Sequence, residues 1–367
     1  MKITELQTPC LVLDLDILMR NINKMQASVM GAGKQLRPHV KSHKCSALAR
    51  VQREAGAVGL CVAKLSEAQS LIDNDLDNIL ITGPVAGHGK MELLAELVEK
   101  SPSLMATVDH RVSIDRLDTL LAARNTAMDV LLDIDVGLGR TGVRCEHAYE
   151  LADYIDRCTS LRLRGIQAYA GQVQHIVSFD ERKQASRASL QGAVDVFTRV
   201  RKRVPGCTIF SASGTGTFNI DTDIEEITEL QTGSYVLMDA EYLHVQSAPD
   251  APGFEEFAPA LKLLTSVVSA NQTGFVTVDA GLKALYQHGA VPKVVGPSGF
   301  DLVYDWFGDE YGKVSAQNGS AVPPLNSVLE IVVSHCDPTV NLFDEFNLVR
   351  GDEVVGTWPI DLRGCCR

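Results

Sequence analysis

From about residue 36 to residue 240 the chain alternates short β-branched, apolar runs with longer stretches whose apolar residues recur at helical spacing. The apolar runs fall at 36–40, 58–63, 79–82, 104–108, 129–135, 163–169, 207–211 and 227–231. Helical periodicity fills the intervals, among them 44–55, 65–74, 89–100, 111–124, 146–159 and the long 179–203. A buried strand followed by an amphipathic helix is one βα unit of a parallel sheet. Eight such units in this span have the size and rhythm of a (β/α)8 TIM barrel, whose chemistry gathers on the loops that follow the strands. The pattern favours that α/β barrel over an open doubly wound sheet.

From about residue 250 the texture changes to Pro/Gly-rich turns between short β-like runs such as 261–269, 274–279, 327–334 and 353–358, with no expected helix. A second, C-terminal all-β domain follows from this. The opening segment 8–14 is also strand-like, precedes a helix at 16–30, and is a candidate strand of that same β domain. The expected division is a barrel over 14–245 and a β domain over 1–13 and 246–367. No internal repeat or low-complexity stretch is present.

Composition narrows the partners. Of 367 residues 45% are hydrophobic and 22% charged, which is globular chemistry, and the net charge of −12 would repel phosphate backbones and anionic lipid. Neither nucleic acid nor a membrane is an expected partner; a small molecule is. The first residues lack a signal-peptide pattern and no apolar run reaches the length of a membrane span, so a cytoplasmic location is expected. The nine cysteines lack CxxC spacing and fit reduced thiols better than a disulfide framework.

The candidate chemistry begins at Lys41, inside Arg37-Pro38-His39-Val40-Lys41-Ser42-His43-Lys44. A lysine crowded by cations and partly desolvated has a lowered ammonium pKa and can trap an aldehyde as a Schiff base. The competing reading is a solvated basic turn. Gly137-Leu138-Gly139-Arg140-Thr141-Gly142 has the form GxGxxG, but it follows the fifth strand, and Asp133 and Asp135 oppose a dinucleotide. It reads better as a loop presenting Arg140 to a phenolate or carboxylate oxygen, or as an arginine paired with one of those aspartates. The loops after the seventh and eighth strands, 211–217 and 232–235, are rich in Gly, Ser and Thr, as barrel phosphate sites are. After the sixth strand, Tyr169 is placed to lie on a flat ring and His175 to act as a base, although either residue type is more often structural. In the β domain His335 and Asp337 are two apart, so in extended chain they share a face while Cys336 takes the other. They form half a divalent-metal site or a Pro-terminated turn. Asp279-Ala280-Gly281-Leu282-Lys283 is a further, less specific turn.

With these pieces in order, the chain resembles the alanine-racemase-like, fold type III pyridoxal phosphate enzymes, and within them the D-threonine aldolase and D-serine dehydratase group. The resemblance rests on TPCLVLDLD, LRPHVKSHK, DIDVGLGRTGV, GIQAYAGQVQH, SASGTGT, ELQTGSY, VDAGLKA and SHCDP, in that order along nearly the whole chain. It implies that Lys41 carries pyridoxal 5'-phosphate, that Arg140 lies near the cofactor's phenolic oxygen or the substrate, and that Tyr169 faces the ring. It also implies phosphate contacts from Thr215, Gly216, Thr217, Gly233 and Ser234, a metal held by His335 and Asp337, and a homodimer.

The related D-serine dehydratases have cysteine where this chain has Asp337. A carboxylate favours manganese or magnesium over zinc, and that departure points to an aldolase. The implied reaction is cleavage of the Cα–Cβ bond of a D-3-hydroxy amino acid to glycine and an aldehyde, with His175 taking the hydroxyl proton. The alternatives are D-serine or 3-hydroxyaspartate dehydration, or a 3-hydroxy-D-aspartate aldolase. D-threonine, D-phenylserine and 3-hydroxyaspartate remain open as substrates.

Overall fold

A computed structural model describes all 367 residues. The chain divides into two compact units. One comprises Lys24–Lys41, Leu48–Gly233 and Cys365–Arg367; the other comprises Met1–Asn23, Ser42–Ala47 and Ser234–Gly364.

The first unit is built on eight successive parallel strands: β1 Gln35–Leu36, β2 Leu60–Val62, β3 Ile79–Ile81, β4 Met105–Val108, β5 Met128–Asp135, β6 Leu161–Ala168, β7 Ile209–Ala212 and β8 Glu229–Leu230, with a ninth short strand, Val143–Arg144, pairing β5 alone. Their order is β1-β8-β7-β6-β5-β4-β3-β2, and a parallel bridge between His39 and Cys61 joins the two ends into a ring. The expected strand at 36–40 is regular only at its start. Pro38 has no N–H to donate, so beyond it the contact thins to that single bridge. The helices Ser46–Glu54, Leu65–Asp73, His88–Lys100, Arg111–Ala123, Cys145–Ile155 and Phe179–Arg203 form where the periodicity places them.

Strand periodicity decides what the barrel contains. Cys61, Leu80, Met105 and Leu131 form a buried apolar cluster, with Ile209 packed against it. Two residues further along each strand the side chain points the same way. For four of these five that step leads to Thr82, Thr107, Asp133 and Ser211, so a polar layer succeeds the apolar one toward the strand C-termini.

Two strands of only two residues make a weak seam, and Arg37 reinforces it. Its guanidinium donates to both carboxylate oxygens of Glu229 on β8, at 2.9 and 3.1 Å, and on the other side to the carbonyl of Asn78 just before β3, at 2.6 Å. The pair is almost wholly buried, with 3% and 2% of its side chains exposed. Gly59 must lack a side chain here, because a Cβ would lie 2.0 Å from Arg37 Nη1 and 2.2 Å from the Asn78 carbonyl oxygen.

The second unit is built on a sheet ordered Leu302–Trp306, Gly312–Ala316, Phe275–Val278, Leu261–Ser269, Cys10–Asp14, Glu345–Arg350 and Glu353–Pro359, with Val328–Val332 also pairing Leu261–Ser269. The N-terminal strand joins it as the sequence suggests, antiparallel to Leu261–Ser269 and parallel to Glu345–Arg350. Val12, Leu264 and Val349 are buried together there. The expectation of no helix beyond 250 fails at Cys336–Val340, a short helix with His335 at its N-cap. Pro338 falls in the first turn, where a missing N–H costs no hydrogen bond, so the proline permits this helix rather than ending a strand.

Replacing Glu229 with leucine leaves a buried, unpaired guanidinium. Urea unfolding of Glu229→Leu is expected to show a loss of about 3–5 kcal/mol, with most of it regained in Arg37→Met/Glu229→Leu. A single variant as stable as the parent would show that this pair does not hold the seam.

Candidate active site

Lys41 is half-buried in a 3-10 turn, Val40–Ser42, separated from β1 by three residues. Its surroundings differ from the expected cationic cluster. The Arg37 charge is taken by Glu229. His39 accepts from the Lys41 backbone N–H at Nδ1, 3.3 Å, so that nitrogen carries no proton. Its Nε2 then donates to Thr82 Oγ1 at 3.1 Å, whose own hydrogen goes to the Val62 carbonyl. The imidazole is therefore neutral. Arg37 and His39 therefore add less positive charge beside Lys41 than the sequence suggests. Lys44 is buried, adopts φ 49° and belongs to the other unit, where the Leu362 N–H donates to its carbonyl.

The segment leading to Lys41 is tied to the loop after β8, since the His39 N–H donates to the Thr232 carbonyl at 3.0 Å. The Thr232 hydroxyl is buried and has no hydrogen-bond partner within the protein. A buried hydroxyl left unsatisfied in a Gly/Ser/Thr loop, one residue from Gly233, is what an absent anion would complete. Gly233 closes the barrel unit, and the buried Ser234 opens the 3-10 turn Ser234–Val236 of the other.

In the loop after β7, 213–217, the expected contacts separate into two kinds. Thr215 is buried in the loop. The Gly216 N–H donates to Gln174 Oε1 at 3.0 Å, and a Cβ at Gly216 would lie 2.1 Å from the Gln174 carbonyl oxygen. The Thr217 hydroxyl spends its one hydrogen on Asp221 Oδ2, at 2.5 Å, and accepts from Gln174 Nε2 at 3.0 Å. Gly216 and Thr217 thus frame the loop. Gln174 and Asp221 were not foreseen as its supports; Gln174 lies in the quoted motif beside His175 but was not singled out.

The Gly137–Arg140 loop wraps around Asp135, whose Oδ1 accepts from the Gly137 and Gly139 N–H groups at 3.0 and 2.9 Å. Those backbone bonds hold the Asp135 carboxyl below its usual range. The N–H groups a nucleotide phosphate would need are already occupied by this carboxylate. Arg140 is exposed and lies 5.9 Å from the centre of the Tyr169 ring, so these two are brought together. Gly171 permits the ring's position, since a Cβ there would stand 2.8 Å from it. His175 is exposed two residues beyond the short turn Gly171–Val173.

Below this mouth lies the polar layer. Gln167 Nε2 donates to Asp133 Oδ1 and to the Thr82 carbonyl, both at 2.9 Å, and Gln231 Nε2 donates to Gln167 Oε1 and Ser211 Oγ, also at 2.9 Å. Asp133 Oδ2 and Thr107 Oγ1 are buried without partners. Burial pushes the Asp133 carboxyl up to about 6, helped by the nearby Asp109 charge and opposed by bonds from Gln167 and Thr141 and by the Arg140 charge.

In the β-rich unit, His335 and Asp337 do not share a strand face, because the strand ends at Val332 and Asp337 lies in the helix Cys336–Val340. The organiser of this cluster is Asp239. Its Oδ2 accepts from His335 Nδ1 at 2.9 Å and from the Cys336 N–H at 3.0 Å, while its Oδ1 accepts from the Tyr242 N–H at 3.1 Å. A carboxylate can only accept, so Nδ1 carries the proton and Nε2 is left for a metal, as in carboxylate–histidine–metal triads. Burial lowers the His335 pKa, but the Asp239 bond and the charges of Asp337, Asp239 and Glu241 outweigh it and bring it to about 9. Glu241 Oε2 stands 3.5 Å from Nδ1. Cys336 does not face away: its Sγ lies within 4.8 Å of the Asp239 and His335 donors and 3.4 Å from Asp337 Oδ1. Burial and these acids raise the Cys336 thiol well above its ordinary range. Asp239 carries no motif; its only sequence signal is its place as the N-cap of the helix Ala240–Leu243.

The other singled-out turn is structural. Asp279 accepts from Thr8, Thr265 and Ser266, and Lys283 pairs with Glu310. All nine cysteines are free thiols, and no helix is long and apolar enough to cross a membrane.

Residues 13–241 match the family described as alanine racemase, N-terminal domain, and residues 260–349 match the putative serine dehydratase domain. A 3-hydroxy-D-aspartate aldolase of Paracoccus denitrificans is 35% identical, covering 98% of this chain and 93% of the relative. A D-threonine aldolase of Arthrobacter sp. is 34% identical, covering 100% and 95%. The crystal structure of D-threonine aldolase from Filomicrobium marinum superposes with a TM-score of 0.93 at 35% identity, covering 100% of this chain and 97% of that one.

The Asp133 carboxyl generates a pH signature. Its folded pKa lies above the unfolded value of about 3.9, so the folded state holds this proton more tightly and stability falls as pH rises from about 4 to 6. The group's share is on the order of 3 kcal/mol, and Asp133→Asn should lack it. Chemical unfolding of the apoprotein at pH 4 and pH 7 would measure the difference between the two proteins; equal pH dependence would mean Asp133 titrates normally.

Proposed function

This chain belongs to the alanine racemase-like family, in the group that includes the D-threonine and 3-hydroxy-D-aspartate aldolases, and on that premise we propose that it is a pyridoxal phosphate- and metal-dependent carbon–carbon lyase. Its substrates are D-3-hydroxy amino acids of the D-threonine type, cleaved to glycine and an aldehyde. The observation that carries this reading is the His335 cluster, an imidazole held at Nδ1 by Asp239 beside the Asp337 carboxylate.

The barrel residues fit the cofactor. Lys41 would hold it covalently, with the unsatisfied Thr232 hydroxyl, Thr215, Gly233 and Ser234 at the phosphate, and Gly216 and Thr217 shaping the loop. Tyr169 would face the ring, and Arg140 beside it would meet the phenolic oxygen or the substrate carboxylate. When bound, the cofactor supplies an electron sink at the substrate Cα, and the metal a Lewis acid for the 3-hydroxyl. His175 acts as the base that takes the hydroxyl proton as Cα–Cβ breaks. Asp239 keeps His335 in the tautomer that ligates.

Imidazole and carboxylates form a donor set suited to manganese or magnesium more than zinc. The buried Cys336 and the serine dehydratase-type domain favour a second reading, zinc-dependent elimination. We also assign an active homodimer, supported by the exposed apolar residues Val291, Val303, Phe307, Tyr311 and Leu325 of the β-rich unit, and a reducing, cytoplasmic compartment, supported by nine free thiols.

The purified protein should be yellow. Borohydride reduction and peptide mapping should place the pyridoxyl group on Lys41; recovery on Lys44 would refute the anchor. His335→Ala and Asp337→Ala should lose tight manganese binding and aldehyde release while keeping the colour. His175→Ala should keep both metal and colour yet slow cleavage by about 10²- to 10⁴-fold. Glycine formation unaffected by exhaustive chelation would remove the metal from the reaction.

A further inference from the structure

The most deeply buried cation of the barrel is used by nothing above. Arg182 is fully buried in the first turns of the helix Phe179–Arg203. Its Nε donates to the Gly216 carbonyl at 2.7 Å, and its Nη1 to the carbonyls of Ile176 and Val177 at 2.6 and 3.2 Å. Ile176 and Val177 directly follow His175, and Gly216 lies in the loop after β7. One guanidinium therefore fastens the segment carrying His175 to the loop assigned to phosphate. Gln174 fastens them again through Gly216 and Thr217, so Gly216 is gripped at its N–H by Gln174 and at its carbonyl by Arg182. One turn on, Ser186 donates to Asp221 Oδ1 at 2.6 Å, and Asp221 in turn receives the Thr217 hydroxyl. A single helix face thus braces two successive residues of the loop, Gly216 and Thr217.

These acceptors are neutral carbonyls, and burial lowers the Arg182 pKa to about 10. A buried cation of this kind is stabilised by an anion bound on the far side of the peptides it holds. We propose that Arg182 is a positioning residue that couples the cofactor phosphate to His175: its charge favours the phosphate dianion at the 213–217 and 232–234 loops, and its fork sets the His175 segment against them. This rests on the assignment of those loops to phosphate.

The test is direct binding to the apoprotein, comparing pyridoxal phosphate with pyridoxal, which lacks the phosphate. The parent protein should prefer the phosphorylated form. Arg182→Met should reduce that preference by about 10- to 100-fold, the scale of one charge-assisted interaction, while pyridoxal affinity is retained. Arg182→Lys should keep most of the preference, since the charge remains, but lower kcat, since one ammonium cannot hold the Gly216 and 176–177 carbonyls together. A preference that survives in Arg182→Met, or equal weakening of both ligands, overturns the role of Arg182. If Arg182→Met does not fold, Arg182→Lys decides: loss of the preference, or an unchanged kcat, overturns it. A parent protein with no preference for the phosphate would instead overturn the assignment of the loops.

Discussion

A closed parallel barrel must pair its first strand with its last, and here both are two residues long with a proline beyond the first. Too few backbone hydrogen bonds are available at that seam for the ladder alone to hold it. Arg37 supplies the missing connections, reaching Glu229 on one side and the Asn78 carbonyl on the other while lying under 5% exposed. Removing either charged partner leaves the other buried and uncompensated, so the arrangement is retained as a whole or lost as a whole. Lys41 lies four residues beyond Arg37, and the bond from His39 to the Thr232 carbonyl carries the same seam up to the loop with the unsatisfied hydroxyl. Closure of the barrel and placement of the proposed anchor are consequences of one short segment.

Above the seam, polarity is layered. Cys61, Leu80, Met105 and Leu131 form an apolar cluster in the barrel, and beyond it come the hydroxyls of Thr82 and Thr107, the Asp133 carboxyl and the amides of Gln167 and Gln231. Such buried polar groups are costly unless they are satisfied. Most are bonded to one another through Gln167 and Gln231; Asp133 Oδ2, Thr107 Oγ1 and Thr232 Oγ1 are not. These three atoms lie toward the strand C-termini, where a barrel binds its ligand. In the other unit the same logic produces a tight cluster instead, with Asp239 accepting three hydrogen bonds and so orienting His335.

Much of this was legible in the sequence because it follows from local pattern. Strand and helix spacing placed all eight barrel strands and the long helix Phe179–Arg203, and the strand-like segment at 8–14 does join the β-rich sheet. What the chain did not disclose depends on distant partners. Arg37 reads as one more cation near Lys41 until Glu229, almost two hundred positions on, is seen to neutralise it. Asp239 lies in no motif and acquires meaning only from His335. Thr217 and Gly216 look like phosphate donors until Asp221 and Gln174 are found to occupy their hydrogen-bonding groups. The extended geometry expected for His335 and Asp337 failed because the strand ends at Val332 and a helix begins at Cys336, where Pro338 in the first turn costs no hydrogen bond.

The central claim is that the bond broken is Cα–Cβ, and product analysis addresses it most directly. Protein loaded with pyridoxal phosphate and manganese, given D-threonine, D-phenylserine and D-3-hydroxyaspartate in turn, should release glycine and the matching aldehyde in equal amounts from at least one of them, without ammonia. Ammonia and a keto acid in place of glycine and aldehyde would mean that the same scaffold runs an elimination, and the aldolase account would be contradicted.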